Sequence, residues 1–343
     1  MTTTAGAAKH DTSELLKAMA AVHAQPLWDL YKSLNTREPQ YYEPMIWRWS
    51  TMTGLIDRAA REVRMHDAER RALLLTHPAF PGTVFTTPTL SAALQVLEPG
   101  ESAPPHRHTL AAIRLVMTGD GAVTITDGKR CLMAPGDLVL TPAMSWHEHE
   151  HPGKTRMVWF DGLDYPLARQ LGDVFFELGP GPIPDRGIAA LPDAGLSGGG
   201  VLPEGHESKT AYSPLFRYEW TRVAEVLAAM PAAADGSRRL RYVNPSTGGA
   251  IMPTIDCFAL RPAVGKSTTP ARTTSTAIAV VIEGEGETRI GDKTFEWQPH
   301  DVLTLPRWQW IEHKAARGPA TLFLMTDREF LARIDHLREE SRG

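Results

Sequence analysis

Cysteine is nearly missing from this chain of 343 residues, which has only Cys131 and Cys257. Two cysteines cannot build a disulfide framework, and the pair suits a reducing, cytoplasmic setting. No window approaches 18 consecutive apolar residues, which argues against a helical membrane span. The first residues, MTTTAGAAKHDTSELLKAM, lack a charged start followed by an apolar core, so no secretory signal is expected. Long runs of Lys or Arg are also absent and the formal net charge is −4, so no nucleic-acid track is expected. What remains is ordinary for a globular protein, with 42% apolar and 22% charged residues. The length suits two compact domains or one duplicated domain.

A further absence concerns only half of the chain. Pro105–Gly121 (PHRHTLAAIRLVMTGDG) and Pro270–Gly286 (PARTTSTAIAVVIEGEG) align without a gap. They are identical at about half their positions, as internal repeats are. The first copy reads His106-Arg-His108 where the second reads Ala271-Arg-Thr273. Downstream, Pro135-Gly-Asp-Leu-Val-Leu-Thr-Pro142 is echoed by Pro299-His-Asp-Val-Leu-Thr-Leu-Pro306, and Trp146-His147-Glu-His149 by Trp310-Ile311-Glu-His313. Three histidines of the first copy are therefore missing from the second.

The repeat organises the chain. Residues 12 to about 75 carry apolar residues at helical spacing, and an N-terminal helical segment is expected over 1–85. Short apolar runs punctuated by Gly and Pro then predict strands at Ala92–Leu97, Ile113–Met117, Ala122–Ile125, Leu138–Leu140 and Met157–Phe160. Two related β-barrels are expected over 86–165 and 251–326. Between them, 166–250 reads as a linker with loop signals at Gly179–Pro184 and Ser197–Gly200, and with one helix around Trp220–Met230. Residues 327–343 read as a charged amphipathic C-terminal helix. The fold class is all-β with helical additions.

Alternation along a strand puts His106 and His108 on one face, and a turn, a strand and a Pro142 bend could return His147 to the same opening. Three imidazoles converging from two segments make a metal site with open coordination positions. His149 is set apart, because its counterpart His313 survives in the inert copy; it reads as a second pocket residue rather than a ligand. Arg114 shares the parity of His106 and His108 and would face the interior if the strand runs on, while the twin has Ala279. A guanidinium there needs a partner, either a substrate carboxylate or an internal carboxylate.

Gly100–His108, running on to Gly119, and Gly136–Pro142, running on to His147, resemble the two cupin motifs, and the duplication resembles a bicupin. The glutamate that many cupins place a few residues after the second histidine is replaced here by Ala112 or Ile113. The three-histidine form resembles the gentisate and salicylate 1,2-dioxygenases. Ile46–Trp49, Glu69–Arg71, Ala92–Gln95, Trp159–Asp164 and Arg241–Gly249 are similar to stretches of that family, in the same order. The resemblance implies Fe(II) at His106, His108 and His147. It also implies a small aromatic hydroxy-acid substrate, O2 as co-substrate and a homotetramer. It places Arg70 and Arg114 on the substrate carboxylate, His149 and Asp161 in the pocket, and Ser91 and Ala93 in its wall. Ser91 stands where the family often has a bulkier residue. His66 stands near the place of a second family arginine. Gentisate is the expected substrate, with a 5-substituted salicylate or 1-hydroxy-2-naphthoate as the alternative. The rival from another class is a non-catalytic bicupin that binds an aromatic acid.

Overall fold

The computed structural model describes residues 11–34, 42–180, 196 and 210–342. The chain divides into residues 1–40 and a large unit over 41–343. The described part of the first is two helices, α1 (Ser13–Ala21) and α2 (Leu27–Leu34). In them Leu15, Leu27, Trp28 and Tyr31 are exposed, as is Val22 just after α1. The Gly- and Pro-rich signals at 181–184 and 197–200 lie outside the described residues.

The large unit begins with β1 (Ile46–Trp47), α3 (Trp49–Glu62) and α4 (Met65–Ala68). The first barrel follows as β2 (Arg71–Leu74), β3 (Ser91–Leu97), β4 (Ser102–His108), β5 (Ala112–Thr118) and β6 (Val123–Thr126). It continues with β7 (Lys129–Leu132), β8 (Leu138–Thr141), β9 (His147–Glu150) and β10 (Met157–Leu163). After α5 (Tyr165–Leu171) come β11 (Phe176–Leu178), β12 (Arg217–Tyr218) and α6 (Trp220–Ala229). The second barrel is β13 (Arg238–Arg241), β14 (Asp256–Arg261), β15 (Ala271–Thr273), β16 (Ala277–Glu283), β17 (Gly286–Ile290), β18 (Lys293–Trp297), β19 (Val302–Leu305), β20 (Ile311–Ala315) and β21 (Thr321–Thr326). The chain closes with α7 (Arg328–Arg333) and β22 (Glu339–Ser341).

Each barrel is a pair of facing sheets. The first pairs β12-β8-β5-β10-β3-β2 with β11-β4-β9-β6-β7, and the second pairs β1-β19-β16-β21-β14-β13 with β18-β17-β20-β15-β22. This jelly-roll form bears out the all-β, duplicated reading. Alternating apolar residues of β3, β5, β8 and β10 build the first core, as with Leu94, Ile113, Leu115, Leu140 and Phe160. That core is continuous with Ile278, Val280, Phe323 and Met325 of the second barrel. Features shared by the two copies are architectural. Arg107 lies 4.8 Å above the Trp146 ring, and Arg272 lies 4.8 Å above Trp310. Gly119 has φ +81, and a Cβ there would meet the Arg156 carbonyl oxygen at 2.0 Å, so only glycine fits.

Three expectations about organisation are corrected. The N-terminal segment is not helical throughout: β1 joins the second barrel through Ile46↔Leu303, and β2 extends the first through Leu73↔Leu94. The linker supplies β11 and β12 to the first barrel and β13 to the second. The C-terminal segment is a helix of only six residues and then a strand. Asp335, at φ +58, turns the chain back so that Arg328 meets Glu339 through two hydrogen bonds of 3.0 and 2.7 Å. Sheet edges recruit strands from distant segments because unpaired backbone groups are costly, and no local pattern encodes that choice.

Candidate metal centre

His106 and His108 lie on β4 and point inward with Arg107 between them facing out, as strand alternation requires. β9 delivers His147 and His149 to the same interior. Pro104 and Pro105 cannot donate to the ladder, and the register slips there. Ala103 still pairs with His149, but the next pair is His106 with His147. The slip sets two ligands directly across from each other, with ring centroids 3.9 Å apart.

One nitrogen from each of His106, His108 and His147 lies within 4.8 Å of the others, and all three residues are buried. A single cation at about 2.1 Å from each nitrogen fits this group after small side-chain shifts. His108 Nδ1 donates to Leu110 O (2.9 Å) and His147 Nδ1 to Ser145 O (3.0 Å). Those carbonyls only accept, so Nδ1 carries the proton and Nε2 is left as the ligand atom. His147 Nε2 is buried with no hydrogen-bond partner. Burial is the main reason that His106 is pushed down to about 2 and His108 to about 4, with Arg70 and Arg114 adding to the effect. Burial also holds His147 and His149 well below the usual imidazole range. Neutral imidazoles are what metal ligation requires.

Arg114 is 4% exposed and faces the interior, although the strand does not run on from His108 as its parity argument assumed: β4 stops there and β5 begins at Ala112. Its side chain is not unpaired. Nε lies 3.2 Å from Asp161 Oδ1, directly across the β5–β10 ladder, and Nη1 donates to Thr141 Oγ1. Nη2 has no partner among the described residues. Burial pushes Asp161 up to about 6 against the pull of Arg114, and Trp159 Nε1 donates to its Oδ2 at 3.1 Å. Arg70 precedes β2 rather than lying on a helix surface. Its Nη2 donates to Pro104 O at 2.8 Å and lies against His106 Nδ1. The neighbouring Arg71 is structural, bonded to Glu101 and to the last carbonyls of α3.

His149 is 1% exposed. Thr124 Oγ1 donates to Met133 Sδ (3.2 Å) and lies 2.9 Å from His149 Nδ1. With its proton so directed, the hydroxyl accepts from Nδ1–H, and Nε2 is left bare and buried without a partner. Ala93 lies across from Asp161, and Ser91 shares its face; both are buried. His66 does not join the group: its side chain is 77% exposed and contacts Asp67.

Two wall residues were missed. Gln95 is buried with Nε2 unpartnered, on the face of Ser91 and Ala93, and Thr141 holds Arg114. The comparison that picks out the histidines could have found Thr141, because the aligned second copy has Leu305 there. By strand register Gln95 corresponds to Leu260, and Asp161 to Leu324.

These histidines bear on stability as well. As pH falls through 6.5 the unfolded chain protonates His106, His108, His147, His149 and His313, while the native chain keeps them neutral. Stability is then lost. Asp161, Asp164 and Asp327, each raised to about 6, act in the opposite sense because the native state takes up protons there first. Histidines win by about two protons, so stability should fall by on the order of 2–3 kcal/mol per pH unit between pH 6 and 5. Urea midpoints measured across this range that stay flat or rise would contradict the assignment.

Two jelly-roll barrels, one with a buried three-histidine centre and one without, define a bicupin. Residues 93–163 match the cupin domain family. Over 92% of its length the chain is 36% identical to gentisate 1,2-dioxygenase 1 of Aquipseudomonas alcaligenes, of which 92% is covered. It is 33% identical, over 96% of its length and 90% of the relative, to 5-aminosalicylate 1,2-dioxygenase of Comamonas sp.. The gentisate adduct of salicylate 1,2-dioxygenase from Pseudoaminobacter salicylatoxidans superposes with a TM-score of 0.89 at 31% identity, covering 98% of this chain and 96% of that one. The chain belongs to the gentisate and salicylate 1,2-dioxygenase family of ring-cleaving enzymes.

Proposed function

We propose that the chain is an Fe(II)-dependent dioxygenase that opens a 2-hydroxybenzoate ring between its carboxyl- and hydroxyl-bearing carbons, with gentisate as substrate and maleylpyruvate as product. The observation that carries this reading is a three-histidine cluster, with no protein carboxylate among its ligands, that shares its barrel with Arg114. His106, His108 and His147 would hold Fe(II) as three neutral ligands, leaving it its full charge for a chelating carboxylate and phenolate, and the bound metal would supply the redox chemistry toward O2 that Zn2+ lacks.

The protein's own groups take the remaining tasks. Arg114 Nη2 and Arg70 meet the substrate carboxylate, and the Asp161 and Thr141 contacts hold the Arg114 fork in place. His149 Nε2 accepts the proton of the ring hydroxyl. Ser91 and Ala93 keep the wall small. That space also supports a second reading, a 5-substituted salicylate or 1-hydroxy-2-naphthoate. The functional unit is proposed to be a cytoplasmic homotetramer.

An oxygen electrode tests the reaction. Iron-loaded protein should consume one O2 per gentisate, with both atoms retained in a ring-opened product seen by mass spectrometry with labelled O2. Failure with gentisate, 5-substituted salicylates and 1-hydroxy-2-naphthoate would remove the dioxygenase assignment.

A further inference from the structure

The second barrel has lost its metal ligands but is not filled in. A cavity of about 490 Å3 opens where the first barrel has its site, within the size range of small-molecule pockets. Ala271, Thr273 and Ile311 line it in place of the three ligand histidines. Leu260, Leu305 and Leu324, which correspond to Gln95, Thr141 and Asp161, make its walls apolar.

Three arginines, Arg239, Arg272 and Arg328, and three carboxylates, Asp235, Glu339 and Glu340, line this cavity. Arg328 is matched by Glu339, and Arg272 by Glu340 at 2.8 Å. Asp235 accepts from the amides of Ser237 and Thr269. Arg239 has no ion pair or hydrogen bond among the described residues. It lines the cavity open to solvent, with its guanidinium 4.2 Å above the Phe258 ring. A stacked guanidinium is held in place while its donors stay available.

His313 supplies a second donor. Its Nδ1 lies 2.8 Å from Thr288 Oγ1, which accepts from Trp297 Nε1 at 2.9 Å. An indole N–H only donates, so the threonine proton is free for His313 Nδ1, and the ring proton sits on Nε2. This is the opposite arrangement to His149, where the third partner is Met133 Sδ in place of an indole. Burial and the Arg239 charge hold His313 down to about 3, so it stays a neutral donor.

From this arrangement we infer that the metal-free barrel is a binding site for a small monocarboxylate with an apolar body, held by Arg239 and His313 Nε2–H between leucine walls. A guanidinium without an ion-pair partner and a neutral donor, set beside three leucines, select an anionic acceptor with an apolar body, and a single guanidinium matches a single carboxylate. Binding here needs neither the metal nor turnover in the first barrel.

Titration of the full-length protein with 4-fluorobenzoate, followed by 19F NMR, tests this site. The wild type should give two bound populations, one from each barrel. Arg239→Met should weaken one of them at least tenfold and leave oxygen uptake by the first barrel unchanged, which also reports correct folding. Arg114→Met should affect only the other. Ala277→Phe, which fills the cavity without touching either donor, should reproduce the Arg239→Met result. Acetate should compete at the second site at least tenfold more weakly than benzoate. A single bound population unaffected by Arg239→Met or Ala277→Phe would overturn the inference, as would acetate binding equal to that of benzoate.

Discussion

Replacing His147 with Ala is expected to reduce bound iron from about one ion per chain to a small fraction of that, and turnover with it. Two histidines remain on β4, but both come from one strand, and His147 alone brings a ligand from β9. A cation left with two neighbouring imidazoles loses the geometry that three supply. The loss of kcat/KM should reach at least about three orders of magnitude, or about 4 kcal/mol of transition-state stabilisation. Metal content by mass spectrometry and oxygen uptake should fall together. The equivalent change in the twin, Ile311→Ala, should leave both unchanged. A His147→Ala protein that kept its iron and its rate would show that His147 is not a ligand.

Arg114→Met should behave differently, with iron retained and turnover lost. The substitution removes the charge proposed to meet the substrate carboxylate, and it also strands Asp161. A buried carboxylate deprived of its partner costs about 3–5 kcal/mol, so stability should fall as well. Loss of activity in a destabilised protein would be ambiguous by itself. The double variant Arg114→Met, Asp161→Leu separates the two effects. Replacing both members of a buried pair by apolar groups is often nearly neutral, so the melting temperature should recover. Turnover should not. Recovery of activity together with stability would make Arg114 a purely structural residue, and the carboxylate would then need another receptor. Arg114→Lys should restore less than a tenth of the rate, because an ammonium cannot keep the Asp161 and Thr141 contacts while reaching the substrate with a second nitrogen.

Much of the site could be read from the chain because the duplication contains its own comparison. His106, His108, His147 and Arg114 differ between the copies, and all four meet inside the first barrel. The same contrast, applied one residue before Pro142, would have found Thr141. Arg70 was harder. An Arg-Arg pair on a supposed helix looks like surface charge, whereas the structure sets Arg71 into the packing and turns Arg70 toward His106. His66 shows the converse: a plausible residue at a plausible spacing remains outside. Neither outcome follows from local pattern, since each depends on where a short strand attaches.

By itself the sequence determined the two barrels, the loss of the metal centre from one of them, and the residues that could ligate in the other. These are properties of alternation, turn chemistry and internal repetition, all carried by neighbouring residues. Tertiary structure alone decided the register. It placed His106 opposite His147 across the Pro104–Pro105 slip, Arg114 opposite Asp161, and the C-terminal strand beside β15. Pairing of distant strands is settled by which edges and faces bury best in the assembled barrel. The sequence names the groups, and long-range packing decides which of them face each other.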